Sequence, residues 1–265
     1  MGTNDMQTGG SEPRNLRQAF LAALESSWAG KDACLICSGS PTGVSPDLLW
    51  SLTMWNDEII AVDSGLEWLE RANITPELMV GDMDSVDREL YNRYEVMGVA
   101  AIVTNPVKDD TDLELALMCV EDRFRTMAVV ANFAGGRLDH ELASLGSMGR
   151  AGFPVVAVDE HATVVFLQAA AEGEPAVQFG EVGSGFGLAP VPSRIELRQI
   201  GLEPGDEYSV IAYDGAATVS QSGVRYPQES VEMPGISGRG ISNVVASGDA
   251  AVEVESGKVM LLLTF

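Results

Sequence analysis

Apolar residues are distributed along the chain in two regimes. Up to about residue 170, short continuous apolar runs alternate with segments of helical periodicity. The runs Ala33–Cys37, Glu58–Val62, Leu78–Val80, Ala100–Val103, Met127–Ala131 and Val155–Val158 predict strands. Helices are predicted between them near residues 46–54, 65–72, 86–96, 112–122 and 139–149. Ahead of these, Leu16, Phe20, Leu21 and Leu24 stand at helical spacing within residues 14–28, and residues 1–13 read as a polar, unordered leader. Strand–helix alternation with short loops implies an α/β fold, a mostly parallel, Rossmann-like sheet covered on both faces.

Beyond residue 170 the pattern changes. Residues 172–192 are rich in Gly, Pro and Ala and read as a loop or linker. From Ser193 onward helical periodicity disappears. The runs Arg194–Leu197, Tyr208–Ala212, Ala217–Ser220, Val252–Glu255 and Val259–Thr264 predict short strands between Gly- and Pro-bearing turns. This implies a C-terminal all-β sandwich domain.

Charge narrows the partners. The 265 residues carry 39 Asp+Glu against 16 Lys+Arg, a net charge of -23, with lysine only at positions 31, 108 and 258. So acidic a surface repels nucleic acid and anionic membranes, and any anionic substrate needs local cations. No apolar run reaches the ~18 residues of a membrane span, and the N-terminus lacks a signal-peptide core, so a cytoplasmic location is expected. Cys34 and Cys37 form a CxxC, which invites a redox or zinc reading. The strand they sit in would point them to opposite faces, and no second CxxC follows, so buried core positions are expected.

Candidate chemistry lies after the predicted strands, where open parallel sheets bind ligands. Asp63-Ser64-Gly65 follows the second strand and Gly81-Asp82-Met83-Asp84-Ser85 the third. Lys108-Asp109-Asp110-Thr111-Asp112 follows the fourth, and Gly136-Arg137-Leu138-Asp139-His140 the fifth. Each has a purely structural alternative: Asp84 or Ser85 could cap the next helix, Thr111 and Glu114 could form a capping box, and Asp139 could face a helix dipole. Together they supply more carboxylates than capping needs. Crowded carboxylates repel unless a cation joins them, and a carboxylate-only set with no local His or Cys suits Mg2+. Lys108, Arg137 and His140 are cationic or switchable groups on the same rim, which points to phosphoryl transfer. No GxxxxGK(S/T) loop is present, and only Ser38-Gly39-Ser40 follows the first strand, so neither a P-loop nor a dinucleotide fingerprint applies.

These blocks, in this order, resemble the thiamine pyrophosphokinase family. Pro76–Ser85 is similar to its PDxxxGDFDS block, Lys108–Asp112 to KDxTD, Gly136–His140 to GRxDH and Asp63-Ser64-Gly65 to a variant DGG. Asp159-Glu160, Gly223–Pro227 and Ser242-Asn243 resemble later family elements. Residues 1–30 read as an N-terminal extension with a helix, and the resemblance implies an α/β nucleotide-binding catalytic domain over 31–170 and a β-sandwich thiamine-binding domain over 193–265. It has no counterpart for the first 30 or so residues or for residues 172–192, and it implies a homodimer with thiamine bound between subunits, ATP as co-substrate and Mg2+. It assigns Asp82, Asp84 and Asp112 to metal and phosphates, and Asp139 to catalysis. Asp63, Ser64, Gly65, Ser85, Lys108, Asp109, Thr111 and Arg137 would surround the nucleotide, and Ser242 and Asn243 would meet the thiamine pyrimidine. The chain departs from the family at Ser64, where a Gly is usual, and in placing Trp28, Trp50, Trp55 and Trp68 all before the β region. The alternatives are a pyrophosphokinase for another hydroxymethyl heterocycle, such as a pterin, and a non-catalytic thiamine or nucleotide sensor.

Overall fold

The computed structural model describes residues 14–104, 110–123, 125–182 and 188–265. Six parallel-sheet strands appear where the apolar runs predict them: β1 Ala33–Cys37, β2 Glu58–Val62, β3 Leu78–Gly81, β4 Ala100–Val103, β5 Met127–Ala131 and β6 Val155–Val158. The helices are α1 Leu16–Trp28, α2 Pro46–Thr53, α3 Gly65–Arg71, α4 Arg88–Val96, α5 Asp112–Asp122 and α6 Leu138–Arg150. Local chemistry explains several helix starts. Asn15 and Ser45 accept from the backbone N–H of Gln18 and Leu48, Pro46 stands in the first turn of α2, and Thr111 and Glu114 form a complete capping box. Asp87 caps α4 by accepting from Leu90, so neither Asp84 nor Ser85 is spent on that end.

The remaining strands are β7 Ala162–Gln168, β8 Arg194–Glu196, β9 Glu207–Ala212, β10 Ala217–Ser222, β11 Gln228–Met233, β12 Asn243–Val244, β13 Ala251–Ser256 and β14 Lys258–Thr264. Ten strands form one sheet in the order β12-β9-β14-β7-β6-β5-β1-β2-β3-β4. Pairing is parallel from β6 to β4 and antiparallel from β6 through β7, β14 and β9 to β12. A separate antiparallel sheet runs β11-β10-β13-β8. It packs over the far end of the long sheet, where Val219, Val252 and Val254 share a core with Val210, Val259 and Leu261. The C-terminal sandwich therefore shares one sheet with the α/β part, because β7 pairs with both β6 and β14. Strand order reverses at β1, whose neighbours are β2 and β5, so a crevice opens at the carboxyl ends of β1 and β5.

Successive β1 side chains serve different cores. Cys34 and Ile36 join one buried cluster, Leu35 and Cys37 the other. The CxxC is thus split across the sheet, and burial pushes both thiols up to about 12, as expected of inert core cysteines.

The N-terminal helix is integral to the fold. Phe20, Leu24 and Trp28 are fully buried, and the Trp28 ring meets Phe179 edge-on at 5.7 Å. Lys31 donates to the carbonyls of Ser27 and Gly180, and Arg17 pairs with Glu160, whose other oxygen accepts from Ser45 N–H. The stretch around Phe179, read from sequence as linker, is thereby pinned against α1. Trp28→Ala, which empties this contact, is expected to cost about 3–5 kcal/mol in equilibrium denaturation; a loss under about 1 kcal/mol would show that α1 is dispensable.

Candidate active site

Strand ends bring the predicted blocks to one cavity of about 870 Å³. Its wall includes Asp63 and Ser64 after β2, Asp82, Asp84 and Ser85 after β3, Thr111 and Asp112 at the start of α5, and Arg137, Asp139 and His140 at the start of α6. Gly65 stands behind this wall. A Cβ there would lie 2.0 Å from the Cys37 carbonyl oxygen, so glycine lets α3 begin hard against the end of β1. Lys108 and Asp109 lie outside the described residues. The structure does not bring Ser242 or Asn243 to this cavity. Asn243 is buried in the β region, its amide donating to Gln221 and to the Tyr226 carbonyl, while Ser242 is exposed.

The carboxylates fall into two neighbouring pairs, Asp63 with Asp112 and Asp82 with Asp84. Asp63 adopts a left-handed conformation (φ 46°), and its Oδ1 accepts from Met83 N–H at 3.4 Å. Gly81 makes room for it, since a Cβ at that position would stand 1.9 Å from Asp63 Oδ1. Asp63 is held up at about 7, first by burial and then by the neighbouring charge of Asp112, with Asp82 adding to both. Asp112 accepts from the Thr104 hydroxyl at 3.2 Å. Asp84 is exposed. Its N–H donates to Asp82 Oδ1 at 3.0 Å, and its proton affinity is raised by hydrogen bonding to Asp82 and by that group's charge. Met83, between the two aspartates, is itself left-handed (φ 58°). Strained backbone at both turns is characteristic of functional sites.

Across the cavity, Arg137 grips Asp139 with two hydrogen bonds of 3.1 and 2.5 Å. This pairing pulls Asp139 down to about 2. Thr111 uses its hydroxyl in the capping box, so its contribution at the rim is to orient α5 and present Asp112. Glu160 acts away from the rim, tying α1 to α2, while Asp159 is half-buried and accepts from the backbone of Ala134, a residue of the cavity wall.

The sequence reading missed two parts of the wall. The loop Ser38-Gly39-Ser40-Pro41 lines the cavity at the switch point, where Ser40 Oγ donates to the carbonyls of Ala134 and Gly135. Glu67, Trp68 and Arg71 of α3 also line it. Their helical spacing was a usable signal, because positions three and four apart share a face.

Among the described residues, no three His, Cys, Asp or Glu side chains stand together as a ready-made metal site. The donor chemistry nevertheless fits Mg2+ shared with a substrate. That ion takes one or two carboxylates and completes its shell with water and phosphate oxygens. Raised proton affinities at Asp63 and Asp84 show carboxylates gathered without a compensating charge.

Comparison with known proteins bears on this segment. Residues 49–158 match the family model for "Thiamin pyrophosphokinase, catalytic domain". Every carboxylate of the two pairs, and the Arg137–Asp139 pair, falls inside this thiamin pyrophosphokinase-like stretch. The thiamine pyrophosphokinase of Bacillus subtilis (strain 168) is 34% identical over 113 residues, 42% of this chain and 51% of that relative, so the match takes in about half of the relative's length. Solved structures share the fold. The thiamine pyrophosphokinase from Bacillus subtilis covers 88% of this chain and 98% of its own at TM-score 0.66 and 21% identity. The thiamin pyrophosphokinase from Candida albicans covers 88% and 90% at TM-score 0.68 and 14% identity. The mixed sheet with parallel strands and the separate antiparallel sheet are common to this fold. No helix among the described residues is long and apolar enough to cross a membrane.

Asp63 makes stability depend on pH. Its folded value of about 7 lies above the ordinary carboxylate value of about 4, so the folded state holds the extra proton between them. Stability should therefore fall as pH rises through that window and level off above it. Denaturant titrations without divalent ions at about pH 5 and about pH 8 should show a larger loss in the native chain than in Asp63→Asn, and Mg2+ should recover part of it at the higher pH. Equal losses would mean that Asp63 is not crowded.

Proposed function

We propose that this chain is a thiamine pyrophosphokinase, transferring pyrophosphate from ATP to the thiamine hydroxyl and giving thiamine diphosphate and AMP. The observation that carries the reading is the meeting of Asp63, Asp82, Asp84 and Asp112 on one cavity with the Arg137–Asp139 pair, all inside the segment that matches the catalytic domain.

Asp82, Asp84 and Asp112 would hold Mg2+ at this rim. When bound, the ion neutralises polyphosphate charge and makes the β-phosphorus more electrophilic. The chain's own groups supply placement. Arg137 offers guanidinium donors to phosphate oxygens as charge shifts during the displacement. The thiamine hydroxyl oxygen bonds to the β-phosphorus while the bond from that phosphorus to the α,β-bridging oxygen breaks; that oxygen leaves with AMP, and the hydroxyl proton passes to solvent water. Asp139, held near 2 by Arg137, is suited to accept a hydrogen bond from the attacking hydroxyl and orient it, but is a weak proton acceptor at neutral pH. The acidic wall also suits the fixed positive charge of thiamine. Ser242 and Asn243 stand apart from the cavity, so a contribution from them requires the wall of a second copy, as in a homodimer with thiamine between subunits. In that arrangement exposed Ser242 meets the ligand and buried Asn243 holds the turn. A cytoplasmic location accords with inert, unpaired cysteines.

The test is thiamine-dependent AMP formation with ATP and Mg2+, run beside a hydroxymethylpterin. AMP and thiamine diphosphate should form in equal amounts with thiamine alone. Asp84→Asn should lower kcat about 10²–10³-fold at saturating Mg2+. Turnover with the pterin alone, nucleotide binding without AMP release, or near-normal turnover of Asp84→Asn would each contradict the reading.

A further inference from the structure

The cavity has a second pole, on α3. Trp68 lies across the loop after β1. Its indole N–H donates to the Ser40 carbonyl at 2.8 Å, and Gly43 backs the ring so closely that a Cβ there would stand 2.3 Å from it. The Arg71 guanidinium lies over the ring at 4.3 Å from its centroid, and Glu67 stands 3.8 Å from Arg71 as an i,i+4 partner. The indole is thus clamped on its loop side and carries a cation over the ring, while all three side chains line the cavity. A guanidinium parked on an indole offers a flat, weakly hydrated surface.

Position decides what such a surface meets. Arg71 is seven residues along α3 from Ser64, about 10 Å of helix beyond the end of β2, where Asp63 of the carboxylate cluster stands. A polyphosphate held at those pairs has its charged end there and its base at the far end. Arg71 is also unlike Arg137, which sits beside Asp139 with two hydrogen bonds on its fork. We propose that Trp68 and Arg71 form the nucleobase platform of this cavity, with a purine stacked on the outer face of the Arg71 guanidinium. This rests on the nucleotide use proposed above and assigns the specificity for the base, as distinct from the phosphates, to α3.

The test compares two ligands on the full chain with Mg2+: α,β-methylene-ATP, which has a base, and inorganic tripolyphosphate, which does not. Binding is read by calorimetry. Stacking of one base is worth roughly tenfold or more in affinity. Arg71→Ala should therefore weaken the nucleotide analogue about tenfold and leave tripolyphosphate unchanged. Arg71→Lys should not restore the loss, because an ammonium cannot stack. Arg71 is largely exposed, so its variants should keep the native unfolding midpoint, and Arg71→Gln serves as a second truncation. Equal weakening of both ligands would make Arg71 a phosphate contact and overturn the proposal, as would no change in either. Should the native chain bind the analogue but form no AMP with thiamine, the earlier reading fails while the platform stands. Should it not bind the analogue, both fail.

Discussion

Carboxylate repulsion is the constraint around which this molecule is arranged. Parallel strands β2 and β3 end side by side, and α5 starts beside them. Asp63, Asp82, Asp84 and Asp112 are consequently held closer than solvated like charges would choose. The surrounding structure enforces that closeness. Asp63 and Met83 are kept in left-handed conformations, Gly81 vacates the space Asp63 occupies, and the capping box at Thr111 sets the position of Asp112. A divalent cation bridged to a polyphosphate would convert the repulsion into binding free energy.

The scaffold that bears this strain extends well beyond the matched segment. β1, β2, β3, β5 and β6 are buried apolar strands, and the fold continues through β7 and β14 into the C-terminal strands. On the other side, α1 and the region of Phe179 lock together through Trp28 and Lys31. Glu160 reaches from the β6–β7 turn to both Arg17 and the start of α2. The pieces without a counterpart in the matched segment thus brace the same sheet whose rim carries the carboxylates.

Much of this was legible before folding, for specific reasons. β1 to β6 were readable because each is a short apolar run bounded by polar or turn residues; five of them are buried and need no alternation, while β4, at the sheet edge, is exposed along its length. The acidic rim was readable because its aspartates directly follow those strands. β11 (Gln228–Met233) was not, since its polar residues are largely exposed and read as loop. β7 was passed over because it lies between the Asp159-Glu160 turn and a Gly/Pro-rich stretch, and its partner β14 is nearly a hundred residues away in sequence. The split between α/β part and sandwich looked sharper in the sequence than in the sheet, because composition reports local structure and not long-range pairing. Trp68 and Arg71 were hidden inside an ordinary amphipathic helix, and only the position of Ser40 and Gly43 reveals what they face.

The central claim is that the carboxylates are an incomplete metal site, finished by the polyphosphate. Electron paramagnetic resonance of Mn2+ as a stand-in ion tests it most directly. Retention should be weak for the protein alone, rise at least about tenfold when α,β-methylene-ATP is added, and drop back toward the protein-free level in Asp112→Asn. Tight Mn2+ binding without nucleotide, or equal retention by Asp112→Asn, would contradict the account.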